Sequence, residues 1–319
     1  MDRHSRRDFL KASACAAGAT LLGAGRAIAV DQPHMEFPTE PRKRLAAASY
    51  PFRAYIDSPS GYERDKSLPG MELTDFGKAV KEKLDLIHIE PWNIHFRSTE
   101  PDYLAELRAA WDKAGVTAID VACDIRASVY DPDAAKRVKA VTLGKKWVDA
   151  AAGVGSPSIR LNNPGVRGPG VRGGKPDAAL AADSLRQIAD YGASKNVQIS
   201  LENDNPVSED PYFLVSVIEK ANHPWLHALP DFGNTMANRG AEYNYPAMKA
   251  MFEHAYCISH MKDGEPNDNG QFVSVDVAKT FAIAKAAGYR GYYSIEFEGK
   301  GNPYDGTARL RDMCLKYLA

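Results

Sequence analysis

Three carboxylates and one imidazole close four short apolar runs in the second half of the chain: Ile199–Glu202, Ala228–Asp231, Cys257–His260 and Tyr293–Glu296. The closing residues stand 29, 29 and 36 positions apart. Each interval is long enough for a strand, a helix and two short loops. A carboxylate at one strand end is commonly a loop cap, and a lone histidine is commonly a packing residue. All four at matching points of consecutive repeats point instead to one divalent cation held at the rim of a barrel. Three like charges packed together repel one another unless a cation offsets them. A donor set of Glu202, Asp231, His260 and Glu296 suits Mn²⁺ first, with Mg²⁺, Co²⁺ or Zn²⁺ as alternatives. Glu298, two residues beyond Glu296, shares its strand face and is the alternative ligand there.

The elements that must position these residues can be read in order. Strand-like runs end at Tyr50, Glu90, Cys123, Asn162, Glu202, Asp231, His260 and Glu296, and helical patterns separate them. Helix signals are explicit in places. Gly115 and Gly288 stop helices, and Asp131-Pro132 reads as the N-cap and first residue of a long helix running to about Ala152. Eight strand–helix repeats predict a closed parallel (β/α)8 barrel over residues 45–319, an α/β fold of one domain. The open doubly wound sheet would carry a glycine-rich phosphate turn after its first strand, and Ser49-Tyr50-Pro51-Phe52 is not one.

The 319 residues, 44% of them hydrophobic, provide for a sizeable core, and 40 basic residues offset 41 acidic ones. That balance gives no electrostatic basis for nucleic acid or an anionic membrane as the main partner. Four cysteines without paired short spacing do not form a disulfide framework. Ser5-Arg6-Arg7-Asp8-Phe9-Leu10-Lys11 matches the twin-arginine export pattern. A short apolar run from Ala12 to Gly25 follows, then Ala27-Ile28-Ala29 as a cleavage site. Residues 1–29 are therefore expected to be a signal peptide and residues 30–44 a tether. The twin-arginine export machinery is then a partner, and the protein is periplasmic or secreted without a stable membrane anchor. The apolar run is shorter than the ~20 residues a spanning helix needs.

The runs Leu201-Glu202-Asn203, Asp231-Phe-Gly-Asn234, His260-Met-Lys262-Asp263 and Ser294-Ile-Glu296-Phe-Glu298-Gly299 resemble the xylose isomerase-like TIM barrels over about residues 45–318. That family includes sugar isomerases, ketose 3-epimerases, inositol-pathway enzymes and apurinic-site endonucleases. The resemblance implies that Glu202, Asp231, His260 and Glu296 bind one divalent metal. It also implies that Glu202 and Glu296 move protons on opposite sides of a bound sugar, and it allows a homo-oligomer. Asn234 stands where the ketose epimerases often carry a histidine, and their arginine just past the strand-seven histidine has no counterpart here.

Further candidates surround the rim. Glu90, Trp92 and His95 fall in the second βα loop, where Trp92 is either a platform for a sugar face or a loop-packing residue. Arg160 alternates with Leu161 and either enters the barrel mouth or forms a buried ion pair. Asn234, Lys262 and Asp263 are within reach of a substrate oxygen, although strand alternation allows only one of Lys262 and Asp263 to face inward. Residues 163–175, with Arg167, Arg172 and Lys175, match no phosphate-cradling motif and read as a solvated loop.

The expected activity is a metal-dependent isomerisation or epimerisation of a sugar or keto-sugar through an enediolate. The alternative is a lyase or dehydratase in which the same enediolate expels a leaving group, as from a 3-keto-glycoside. A non-catalytic sugar-binding protein and an endonuclease-like enzyme rank lower. The latter would need several additional strand-end histidines and a basic surface.

Overall fold

The computed structural model describes residues 31–162 and 176–319. The twin-arginine stretch and the glycine-rich run at 163–175 lie outside the described residues. Strands β1 (Leu45–Ala48), β2 (His88–Glu90), β3 (Thr117–Ala118), β4 (Val121–Cys123), β5 (Ser158–Leu161), β6 (Gln198–Glu202), β7 (Leu226–Leu229) and β8 (Ile258–Met261) follow one another in the chain. A small hairpin, β9 (Gly264–Pro266) and β10 (Phe272–Ser274), precedes β11 (Tyr292–Ile295). The third barrel strand is thus in two pieces, β3 and β4.

Hydrogen bonding orders the strands as two parallel arcs, β3-β2-β1-β11-β8 and β4-β5-β6-β7. Parallel bridges Trp92–Ala122 on one seam, and Ala228–Ala255 with Asp231–His260 on the other, join the arcs. The result is the expected (β/α)8 barrel. Helices α1 (Leu73–Leu84), α2 (Pro101–Ala114), α3 (Ala134–Val154), α4 (Ala178–Lys195), α5 (Pro211–Ala221), α6 (Asn234–Arg239), α7 (Ala241–Phe252), α8 (Val277–Ala286) and α9 (Pro303–Leu318) connect the strands. None of them is long and apolar enough to cross a membrane.

Local chemistry sets the helix ends. Asp177 accepts hydrogen bonds from the Ala179 and Leu180 amides, Asp210 from Tyr212 and Phe213, and Asn302 from Tyr304. Each such cap stabilises by about 1 kcal/mol. Helix α3 begins two residues later than the sequence suggests. Asp131 Oδ1 accepts from the Asp133 amide (2.9 Å) in a preceding turn, and Asp133 is the N-cap, accepting from Ala135 (2.8 Å).

Strand alternation divides the core. Leu45, Ala47, Ile159, Leu161, Ile199, Leu201, Tyr293 and Ile295 pack outward against the helices. Ala46, Ile119, Leu229 and Ile258 form a separate small apolar layer inside the barrel. Other inward positions are polar: Asp120, Ser158, Arg160, Ser200, Glu202, His260 and Ser294 are all buried. Cys123, Cys257 and Cys314 are buried and unbridged. Residues 31–44 lie against the N-terminal end of the barrel: the Tyr256 hydroxyl donates to the Pro33 carbonyl (2.8 Å), and Phe37 meets Tyr256 and Tyr292 edge-on.

Candidate metal centre and active site

Glu202 ends β6, Asp231 lies two residues past β7, His260 is in β8 and Glu296 follows β11. All four side chains are buried, and each offers a ligand atom within 4.8 Å of the others. A local frame fixes Asp231. Its backbone is held by Asn203, whose Oδ1 accepts from the Asp231 amide (2.8 Å) and whose Nδ2 donates to its carbonyl (3.1 Å). Asp231 Oδ1 accepts from the Gly233 and Asn234 amides (2.8 and 2.7 Å). Asp231 Oδ2 is buried without a hydrogen-bond partner, with Lys262 Nζ at 3.3 Å and His260 Nδ1 at 3.9 Å. Such an oxygen is costly to bury unless a cation meets it. The convergent oxygen-rich set, in which this buried oxygen has an ion-pair neighbour but no hydrogen bond, fits a divalent cation.

His260 is held from behind. Its Nε2 lies 2.8 and 3.0 Å from the two Glu90 oxygens, and its Nδ1 lies 2.7 Å from Glu202 Oε1. A carboxylate on the far nitrogen fixes ring orientation and raises basicity, as in carboxylate–histidine–metal arrangements. Burial disfavours the imidazolium, but Glu202, Glu90 and Glu296 outweigh it and hold His260 well above the usual histidine range. Burial would likewise raise Glu202, yet His260 and Arg160 keep it down at about 2. Asp231 goes the other way: burial raises it well above its ordinary value against the pull of Lys262.

Lys262 is itself fully buried, with Nζ 2.8 Å from Glu296 Oε2 and 3.1 Å from Asn234 Oδ1 and Glu265 Oε2. Its stem crosses Gly233, where an added Cβ would stand 2.6 Å from Lys262 Cδ, so a side chain at that position would block it. Arg160 Nε lies 3.0 Å from Glu202 Oε2, and Arg160 Nη1 donates to Asp124 Oδ1 (2.7 Å). Both sequence alternatives for Arg160 therefore hold at once, since it forms buried ion pairs and lines the mouth. The Trp92 indole donates to Asp124 Oδ2 (3.1 Å), and Tyr50 and Tyr62 meet the Trp92 ring edge-on.

A cleft of about 120 Å³ opens onto Glu202 and Glu296, walled by Tyr50, Trp92, Asp124 and Arg160 on one side. Glu202, Asp204, Asn234, Lys262, Glu265, Glu296 and Glu298 wall the other. Three expected substrate contacts are not in it. Glu90 is 1% exposed and occupied by His260, so it acts from beneath. His95 is buried, its Nδ1 2.9 Å from the Ser49 hydroxyl, which also accepts from the Trp92 amide. Asp263 points outward and accepts from Arg309 (2.6 Å), because it falls on the opposite strand face from Lys262.

Asp124, Asp204, Glu265 and Glu298 add carboxyls to the cleft. Burial, then Glu202, pushes Asp204 up to about 6, and chiefly burial pushes Glu298 up to about 7. A period of two would have found most of them. Asp124 continues the inward row of Asp120 and Ala122, Asp204 that of Ser200 and Glu202, and Glu298 that of Ser294 and Glu296. Glu265 sits on the hairpin and carries no such signal.

A search of curated protein sequences returned no match. Among solved structures, the fold is similar to a xylose isomerase-like TIM barrel protein from Mycobacterium smegmatis in complex with magnesium (TM-score 0.66, 18% identity, 86% of this chain and 96% of that one). It is also similar to a D-allulose 3-epimerase from Methylomonas sp. (TM-score 0.65, 14% identity, 89% and 100%) and to 3-keto-D-glucoside 4-epimerase from E. coli (TM-score 0.62, 14% identity, 85% and 98%). A family model described as Xylose isomerase-like TIM barrel matches residues 76–317, most of the chain, and the protein therefore belongs to that family.

Proposed function

We propose that the protein is a divalent-metal-dependent sugar or keto-sugar isomerase/epimerase in which Glu202 and Glu296 serve both as ligands and as the acid/base pair. The observation that carries this reading is the buried convergence of Glu202, Asp231, His260 and Glu296, with Asp231 Oδ2 left without a hydrogen bond. The similar folds of a ketose epimerase and a keto-glucoside epimerase support it. The metal, with Mn²⁺ as the first choice, supplies a Lewis acid that lowers the cost of removing a proton beside a carbonyl.

The remaining work falls to the chain's own residues. Glu202 and Glu296 come from strands separated by β7 and β8, so they approach a substrate from different sides. His260 and Arg160 keep Glu202 ionised, the form in which a carboxylate accepts a proton. Lys262 beside Glu296 offers a positive charge to the negative charge that develops on an enediolate oxygen. Asn234 touches both Glu202 and Lys262 and holds the two sides in register.

A lyase or dehydratase reading is kept for one reason: Asp204, Glu265 and Glu298 place additional carboxyls around the pair, where one could protonate a departing oxygen. Incubation of the Mn²⁺-loaded protein in D2O with ketoses, inososes and 3-keto-glycosides separates the two. Epimer or isomer formation with deuterium at the carbon next to the carbonyl is expected. Release of free aglycone or water without epimer formation would replace the isomerase by the lyase.

The Arg6-Arg7 motif supports export, and an exported enzyme would meet unphosphorylated sugars. Fractionation of a host expressing the full chain tests this: retention of all protein in the cytoplasm would remove it.

A further inference from the structure

The cleft that opens onto Glu202 and Glu296 is small and charged, and a cavity of about 630 Å³ holding two aromatic rings adjoins it through a shared wall, Glu298. The cavity lies between the β9–β10 hairpin and the start of α9. Its aromatic surfaces are Phe272, 45% exposed on the hairpin, and Phe297, between Glu296 and Glu298. Both rings are seated by glycine. A Cβ at Gly264 would stand 2.6 and 2.8 Å from Phe272 ring atoms, and a Cβ at Gly299 or Gly306 would stand 2.5 Å from those of Phe297. Arg309 ties the walls together, ion-paired to Asp263 (2.6 Å) with its guanidinium 5.9 Å from the Phe297 ring centre. A (β/α)8 barrel needs only a short turn between β8 and α8, and the hairpin that lifts Phe272 goes beyond that need.

We propose that this cavity is a subsite for a second, flat ring, so that the substrate is a glycoside: its sugar sits in the charged cleft and its ring-bearing aglycone lies against Phe272. The inference deepens the isomerase/epimerase reading and rests on it for the placement of the sugar. A volume of about 630 Å³ is within the usual range for small-molecule sites, roughly 300–1,000 Å³, whereas the cleft alone is below it. Two phenylalanine rings, set among Lys300, Asp305 and Arg309 beside the charged cleft, match a ligand with a polyhydroxyl end and a ring at the other.

Calorimetric binding of methyl and phenyl glucosides, both anomers, to the full Mn²⁺-loaded protein tests the subsite without requiring turnover. The phenyl glycoside of one anomer is expected to bind about fivefold more tightly than its methyl counterpart, the scale of one aromatic contact. Phe272→Ala should abolish that preference while leaving methyl glycoside binding unchanged, and Phe272→Trp should restore it. Circular dichroism verifies that the exposed substitutions leave the fold intact. Equal binding of methyl and phenyl glycosides, no binding of either, or a preference that survives Phe272→Ala overturns the proposal. A phenyl preference in a protein that exchanges no sugar proton leaves the subsite standing and removes the isomerase reading.

Discussion

The two halves of the barrel mouth each rest on a buried histidine, and the two histidines are opposites. In the half built from β6 to β11, His260 lies between Glu90 and Glu202 and is held in its charged form. In the half built from β1 to β5, His95 lies under Trp92 with one hydroxyl partner, and burial, with help from Arg53, pushes it down to about 3. Burial is nearly equal, at 1% exposure in each case. Neighbouring charge, not depth, decides whether a buried imidazole is a cation or a neutral packing group. The first half gathers four candidate ligands, Glu202, Asp231, His260 and Glu296, around the charged imidazole. The second packs the Tyr50 and Trp92 rings beside the Arg160–Asp124 pair.

The largest break in this contrast should come from Glu202→Gln, which keeps the shape but removes the base. Turnover of the sugar found in the D2O assay should fall by about a thousandfold. A variant within tenfold of wild type would show that Glu202 is a ligand only. Next is Glu90→Gln, which leaves His260 without its carboxylate. Mn²⁺ affinity measured calorimetrically should weaken by roughly 10- to 100-fold. Because His260 binds a proton in the metal-free chain, Mn²⁺ binding should also release protons, visible as a dependence of the binding enthalpy on buffer ionisation.

His95 predicts an effect of the other kind. Its folded pKa, about 3, is below the ordinary value of 6.5, so the unfolded chain binds the proton more readily. The stability it contributes is fully present above pH 6.5 and is lost progressively as pH falls toward 3. Urea unfolding at pH 5 should show about 2 kcal/mol less stability than at pH 7.5 from this residue. His88, pushed down to about 4, adds in the same direction. His95→Gln should remove the corresponding part of the slope, and an unchanged slope would mean that His95 titrates normally. The smallest effect is expected from Trp92→Phe, which loses the indole bond to Asp124. KM should rise a fewfold with Mn²⁺ affinity unchanged, since that ring walls the cleft and is not among the four ligands.

Much of this site could be read from alternation. Once Glu202, His260 and Glu296 are inward, a period of two makes Lys262 and Glu298 inward and Asp263 outward, as found. Glu90 and His95, which lie outside the cleft, share a cause. Glu90 and His95 are polar residues beside a strand end, the pattern of a substrate contact, and their actual partners are His260 and Ser49, 170 and 46 positions away. The β9–β10 hairpin was likewise invisible, because three-residue strands around Asn267–Gly270 leave too short a pattern to distinguish from a loop.

The sequence by itself determined the eight repeats and the four residues that converge, since these follow from short-range periodicity and spacing. The tertiary structure alone decided which histidine is charged, what Glu90 holds, and that a cavity holding two aromatic rings adjoins the charged cleft. Those properties depend on desolvation and on Coulomb partners brought close only when β2 meets β8 across the closed barrel. Both are properties of three-dimensional neighbours, which no local pattern encodes.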